Sequence, residues 1–128
     1  ILCEVLVPLP AERQRSMYLK YRVRGSIDFP LVGVAVRMDL GEGDICDRCE
    51  IVLNAVSSAP MLVPEASDLL KGRVLSEEII YQAAEKGARS ANPVANTFGS
   101  TPSYRRKMAG ILTRRALKGL VGDGHKKN

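Results

Sequence analysis

The chain has 128 residues, of which 45% are hydrophobic and 26% are charged, and its formal net charge is +5. These values are typical of one globular domain. No apolar run approaches the ~20 residues that a membrane span needs, and no secretory leader is visible, so we expect no membrane span and a cytoplasmic location. The chain begins with Ile1 instead of methionine, which suggests a piece of a longer protein.

The cysteine content indicates a reducing environment. Three cysteines (Cys3, Cys46 and Cys49) are an odd number, whereas a secreted disulfide framework normally uses an even one. The pair Cys46-x-x-Cys49 is half of a zinc motif, but the only histidine is His125. In a strand, a spacing of three sends two side chains to opposite faces, so we predict that these thiols do not share a metal.

The first half of the chain alternates as β-strands do. Strands are predicted over residues 1–7, 17–24, 31–40 and 45–56. A hairpin turn over residues 41–44 joins the last two, because its glycines tolerate positive φ. Successive strands with short connections favour an antiparallel meander.

One strand, residues 17–24, carries an unusual set of side chains. Its odd-numbered residues are apolar and would face the core. Its other face would carry Tyr18, Lys20, Arg22 and Arg24. We therefore expect one strongly cationic sheet face, which is a poor core and a plausible contact surface.

The second half of the chain changes to the helical period. Helices are predicted over residues 64–72, 77–88 and 101–120. Pro64 and Pro102 suit the first helical position, and Ser76 is a plausible N-cap. These elements predict an α+β fold, with a three-to-four-stranded antiparallel sheet and three helices on one face. The domain is expected to span residues 1–120, and residues 121–128 to form a flexible tail.

The basic residues cluster late in the chain. The cluster consists of Arg105, Arg106, Lys107, Arg114, Arg115 and Lys118. Such a cluster could attract nucleic acid, but a charge run is more often a solvated helix face, and no RNA-binding signature accompanies it. Arg105 and Arg115 fall near the apolar arc of the last helix, where either could make a specific contact within the protein.

Several segments carry a family resemblance by their order and spacing. They are Ile1-Leu2-Cys3-Glu4-Val5-Leu6-Val7-Pro8, Tyr18-Leu19-Lys20 with Arg24 and Asp28, Val34-Ala35-Val36, Ile51-Val52-Leu53, Ala59-Pro60 with Glu65-Ala66, and Ser103-Tyr104-Arg105-Arg106. Together they resemble the C-terminal domain of the FAD-binding (medium) subunit of molybdenum hydroxylases, the carbon monoxide dehydrogenase and xanthine dehydrogenase family. The chain departs from the family pattern at Ser103, where glutamate is frequent, and at Asn96, where aspartate is common.

The resemblance implies a role beside a flavin. It implies that Leu2 packs on the isoalloxazine region and that Lys20 lies close to the carbonyl edge of the ring. A fixed ammonium at that edge would stabilise negative charge on the reduced ring and raise its reduction potential. Arg24 and Asp28 could tune the field near the ring or form a local salt bridge. The resemblance implies that most FAD contacts lie in an absent N-terminal part. The lack of a Gly-rich phosphate loop before a helix in this chain agrees with that expectation.

The implied function is to complete the FAD pocket of an oxidoreductase that transfers electrons from iron–sulfur clusters to an acceptor. Its implied partners are the N-terminal FAD-binding domain of the same subunit, an iron–sulfur small subunit and a molybdenum large subunit. The isolated domain is expected to be inactive, since no residue resembles a general acid, base or nucleophile. It is also expected to hold no cofactor, since only one wall of the FAD pocket is present. The alternatives are a small basic nucleic-acid-binding module and a ligand-free scaffold for subunit contacts.

Overall fold

The structure, a computed structural model, describes residues 1–25, 28–95 and 100–122. The sheet contains β1 (Gln14–Tyr21), β2 (Val32–Leu40), β3 (Ile45–Asn54), β4 (Met61–Leu62) and β5 (Arg73–Val74), and the helices are α1 (Pro64–Leu70), α2 (Glu77–Ser90) and α3 (Pro102–Gly122). The predicted α+β class is confirmed, with β4 and β5 as short additions to the sheet.

The sheet is an antiparallel meander whose long strands follow chain order. β1 pairs with β2, and β2 pairs with β3. β4 and β5 both pair with β3, at opposite ends of that strand. β1 therefore lies at one edge of the sheet, and the two short strands cover parts of the other edge.

The core lies between the sheet and the helices. Alternate residues of β2, from Val32 to Leu40, are buried and belong to one apolar cluster. α3 contacts β1 and β2, α1 contacts β3, and α2 packs against both helices. The helices thus cover one face of the sheet and leave the other face open.

β1 confirms the predicted alternation but not the predicted bounds. Met17, Leu19 and Tyr21 pack against the core, while Tyr18 and Lys20 are exposed on the open face. The strand begins at Gln14, inside the predicted connector, because polar residues pair readily along a sheet edge.

The expectation of a strongly cationic open face is wrong. β1 ends at Tyr21, so Arg22 and Arg24 lie beyond the sheet. The charged side chains that the open face does carry are mixed in sign. Arg37 pairs with Asp39 and Glu50, and Glu50 also pairs with Arg48.

The predicted strand over residues 1–7 does not form. Residues 1–13 are exposed and lie outside the sheet ladder. An isolated strand has no partner for its backbone groups, and the described part of the chain supplies none. Alternating apolar residues alone were insufficient evidence for a strand here.

A β-bulge overturns the prediction that Cys46 and Cys49 face opposite sides. Asp39 pairs with Arg48 but Leu40 pairs with Cys46, so Asp47 is an extra residue on β3. Such an insertion shifts the alternation by one position. Both thiols are therefore buried in the core cluster. The described residues still contain no group of three or more His, Cys, Asp or Glu side chains that could hold a metal ion.

The two thiols form a hydrogen-bonded pair. This hydrogen bond lowers the pKa of Cys46 against the opposing effect of burial. The same bond, together with burial, raises the pKa of Cys49. Both side chains are buried in the apolar cluster, where cysteine packs as a small apolar residue.

The helix starts follow the predicted signals. The Ser76 side chain accepts a hydrogen bond from the Ile79 amide, and the Thr101 side chain accepts one from the Tyr104 amide. α3 continues through Gly122, two residues into the predicted tail, while the remaining tail residues, His125 among them, lie outside the described ranges, as does Asn96. No helix in the described ranges is long and apolar enough to cross a membrane.

Candidate functional site

The candidate site is a cleft of about 340 Å³ at the end of β1. Its lining comes from the end of β1 and from the bend that leads into β2. We call this bend the site bend; it spans residues 22–30, of which the structure describes all but 26–27. The lining residues are Lys20, Arg24, Asp28, Phe29 and Pro30. The cleft therefore combines two cations, one carboxylate and an exposed aromatic ring.

Lys20 occupies a fixed backbone position on the open face. It lies opposite Gly33 of β2, which in turn lies opposite Asn54 of β3. A Cβ atom on Gly33 would lie 2.8 Å from the Tyr18 hydroxyl oxygen, so the tyrosine ring passes close to the backbone of this strand at the glycine. The Lys20 ammonium is exposed and makes no hydrogen bond or ion pair with any described residue.

Asp28 organises the site bend. Its carboxylate accepts hydrogen bonds from the Arg24 amide at 3.2 Å and from the Phe29 amide at 2.9 Å. The Arg24 guanidinium lies 3.5 Å away. Burial tends to raise the pKa of Asp28, but the amide and guanidinium of Arg24 and the amide of Phe29 outweigh it and lower the pKa below its ordinary value.

Arg24 and Phe29 remain open to solvent around this carboxylate. The Arg24 side chain is 67% exposed, whereas the Asp28 side chain is only 6% exposed. Phe29 is 86% exposed, which is unusual for a phenylalanine next to a cleft. The bend thus holds its one carboxylate inward and presents a guanidinium and an aromatic ring outward.

Leu2, the other predicted contact, lies elsewhere. It is 82% exposed, in the segment before β1, and it is not part of the cleft lining. The structure therefore places Lys20, Arg24 and Asp28 together but does not bring Leu2 to them.

Both ends of the site bend are attached to the fold. The Leu31 amide donates to the Tyr21 carbonyl at 2.8 Å, which closes the bend. The Tyr21 and Tyr104 hydroxyls are 2.9 Å apart, and this hydrogen bond raises the pKa of Tyr21. Arg105 is buried and donates to the Leu31 carbonyl at 3.0 Å.

Arg105 confirms the prediction of a specific internal contact, and Arg115 does not. Arg115 is exposed, and its side chain makes no hydrogen bond or ion pair with a described residue. The difference arises because Arg105 lies in the first turn of α3, where three loop carbonyls converge, whereas Arg115 lies further along the helix.

Most basic residues of the late cluster make hydrogen bonds or ion pairs with groups of this chain. Arg105 and Arg106 donate to backbone carbonyls. Arg114 and Lys118 both pair with Glu77, at 3.4 Å and 2.6 Å. Cations that already have partners contribute less to an electrostatic footprint, so the structure weighs against a nucleic-acid surface on α3.

Sequence reasoning missed Phe29 as part of the site, and it missed the close approach of Tyr18 to Gly33, which lies opposite Lys20. The signal for Phe29 was a large aromatic residue between Asp28 and Pro30, in a bend where an apolar side chain has no strand to bury it. Gly33 carried no such signal, because its role depends on the Tyr18 side chain of the neighbouring strand.

A family model described as the CO dehydrogenase flavoprotein C-terminal domain matches residues 17–120. The chain belongs to this family. The predicted membership, the C-terminal domain of the FAD-binding subunit of molybdenum hydroxylases, is thereby confirmed. The match includes the site bend, α1, α2 and all but the last two residues of α3, and it begins three residues into β1.

Individual relatives agree with this assignment. The chain is 27% identical over 118 residues to the carbon monoxide dehydrogenase medium chain of Afipia carboxidovorans, a match that covers 92% of this chain and 40% of that protein. It is 35% identical over 94 residues to the nicotine 6-hydroxylase medium subunit of Paenarthrobacter nicotinovorans, covering 73% of this chain and 32% of that protein.

The fold comparison gives the same result. A carbon monoxide dehydrogenase structure from Hydrogenophaga pseudoflava, which lacks the Mo-pyranopterin moiety of the molybdenum cofactor, superposes with a TM-score of 0.83 at 25% identity. The superposition covers 91% of this chain and 39% of that one. The chain thus spans between about a third and two fifths of the length of these relatives.

Proposed function

We propose that this chain completes the FAD site in the flavoprotein subunit of a molybdenum hydroxylase. In this proposal Lys20 meets the carbonyl edge of the flavin ring and Leu2 packs on the ring. The remaining FAD contacts belong to a part of the subunit that this chain does not cover. One observation carries the proposal: the Lys20 ammonium has no partner among the described residues, and it lines a cleft within the family-matched region.

The chemistry of the cleft suits the edge of a flavin. FAD, when bound, supplies one- and two-electron redox chemistry. The ammonium of Lys20 has three donors, and carbonyl oxygens are its natural acceptors. Because Arg24 and Asp28 neutralise each other, Lys20 leaves one net positive charge at the cleft. Phe29 adds exposed aromatic surface beside that charge.

The chain's residues would act by position and charge. Lys20 is held by the ladder between β1 and β2, so its Cα cannot move without breaking backbone pairing. An ammonium at that position favours negative charge on whatever acceptor it contacts. Asp28 is the one carboxylate of the lining, and its lowered pKa makes it a poor general acid near neutral pH. We therefore assign binding and electrostatic tuning to the cleft, without proton transfer.

The proposed setting is a cytoplasmic complex of several subunits. The partners are the N-terminal FAD-binding domain of the same subunit, an iron–sulfur small subunit and a molybdenum large subunit. Electrons would reach the flavin from the iron–sulfur clusters and leave it to an acceptor. The names of the relatives support this setting, since one is a medium chain and another is a medium subunit. The chain alone would have no turnover, because it supplies only one wall of the pocket.

The test is the reduction potential of the flavin in the Lys20→Met variant. The polypeptide would be produced as its gene encodes it and loaded with FAD. Removing the ammonium should lower the potential by tens of millivolts, given about 30 mV for each 1.4 kcal/mol in a two-electron couple. Methionine keeps the length of the side chain, so packing changes little.

The matched control is Lys107→Met, an exposed lysine on α3, across the sheet from the open face. It should leave the potential unchanged. Equal FAD content and equal potential in the wild type and in both variants would contradict the proposal. That result would favour the ligand-free scaffold for subunit contacts.

A further inference from the structure

We propose that Tyr104 and Arg105, consecutive residues in the first turn of α3, are positioning residues for the site bend. They hold its two ends and thereby fix where Arg24 and Asp28 stand relative to Lys20. The functional part of this inference rests on the proposed flavin site.

Tyr104 holds the end where the chain leaves β1. Its hydroxyl is 2.9 Å from the hydroxyl of Tyr21, the residue that follows Lys20. The two rings meet edge to face, with centroids 6.2 Å apart and an interplanar angle of 61°. Such pairs are geometrically specific as well as attractive. The contact therefore sets the side-chain position at the last residue of the strand.

Arg105 holds the end where the chain enters β2. Its Nε donates to the Leu31 carbonyl at 3.0 Å, and its Nη1 donates to the Val94 carbonyl at 2.7 Å. Its Nη2 donates to the carbonyl of Ala55, a residue with φ of +62° just after β3. One planar guanidinium thus joins three loops at the end of the molecule that carries the cleft.

Lysine cannot replace this arrangement. The guanidinium presents five N–H donors in a fixed fork, whereas an ammonium is a compact point charge on a flexible stem. A buried carbonyl that loses its donor becomes unsatisfied. The Arg105→Lys variant should therefore keep the charge but release at least part of the three-way contact, which makes it a sharper test than alanine.

The test compares amide hydrogen exchange in Arg105→Lys, in Tyr104→Phe and in the control Arg115→Lys. The reporters are the amides of Arg24, Phe29 and Leu31, all hydrogen-bonded within the bend or across its base. In Arg105→Lys their exchange should rise about tenfold, the effect of losing roughly one such hydrogen bond. Buried amides of β2 should change by less than about twofold.

Tyr104→Phe should give a smaller rise at the same three amides, since it removes one exposed hydrogen bond and keeps the ring. The exposed Arg115 serves as the matched control, and its variant should behave as the wild type. Unchanged exchange at the bend in Arg105→Lys would overturn the inference. A uniform rise across both the bend and β2 would overturn it too, because that pattern reports global destabilisation.

The flavin potential separates this inference from the function on which it rests. If Lys20→Met and Arg105→Lys both lower the potential, both proposals are supported. If Lys20→Met lowers it and Arg105→Lys does not, the position of the bend does not affect the flavin, so the functional part of the inference is overturned while the flavin site stands. If neither lowers it but exchange rises only at the bend, Tyr104 and Arg105 hold the bend as proposed and the flavin assignment is lost.

Discussion

The two faces of the sheet differ in the interactions that their side chains make. The helix-covered face is apolar and dry, with Met38, Ile51 and Leu53 fully buried. The open face carries exposed ion pairs, such as Arg48 with Glu50 at 2.6 Å, and the ammonium of Lys20, which has no partner among the residues that the structure describes. Exposed pairs contribute little stability, whereas buried apolar area contributes most of it. The covered face therefore maintains the fold, and the open face is available for contact.

The largest expected effect is the loss of stability from a substitution in the core on the helix-covered face. Leu117 of α3 is fully buried, and Leu117→Ala should lower the free energy of unfolding by about 2–5 kcal/mol. Leu62 on β4 is 59% exposed, and Leu62→Ala should cost less than about 1 kcal/mol. Denaturant unfolding of both variants measures the difference. Similar losses at the two positions would show that the faces do not divide stability and contact in this way.

The smallest expected effect is the pH dependence of stability that Asp28 contributes at the cleft. The pKa of Asp28 lies below its ordinary value of 3.8, so its contacts stabilise the ionised form. This contribution to stability is fully present above that value and is lost as the pH falls through the lower pKa of the folded state. The unfolding free energies of the wild type and of Asp28→Asn should therefore converge as the solution is acidified below about pH 4. If the difference in unfolding free energy between the wild type and Asp28→Asn stays constant or widens on acidification, the bend does not stabilise the ionised carboxylate.

The sequence predicted the structure correctly where hydrophobic periodicity and helix-capping residues determine it. The apolar residues Met17, Leu19 and Tyr21 predicted the core side of β1, and Ser76 predicted the start of α2. These signals are local, and hydrophobic burial enforces them. The bulge on β3 is not local, since it depends on how Asp47 fits between two strands, and the faces of Cys46 and Cys49 were therefore mispredicted.

The candidate site was predictable only in part, for a related reason. The resemblance drew attention to Lys20, Arg24 and Asp28, which the structure brings together in one cleft. An internal contact of Arg105 was predicted, but its partners could not be read from the sequence, because they are backbone carbonyls up to 74 residues away. Carbonyl acceptors have no residue-type signature, so such a contact is visible only once the fold is known.

The most direct test of the central claim is a crystal structure of the polypeptide, as its gene encodes it, with FAD bound. The account predicts that Nζ of Lys20 lies about 2.7–3.2 Å from an oxygen on the pyrimidine edge of the flavin ring. A Lys20 side chain paired with a protein carboxylate, with the flavin ring bound away from the cleft at the end of β1, would contradict it.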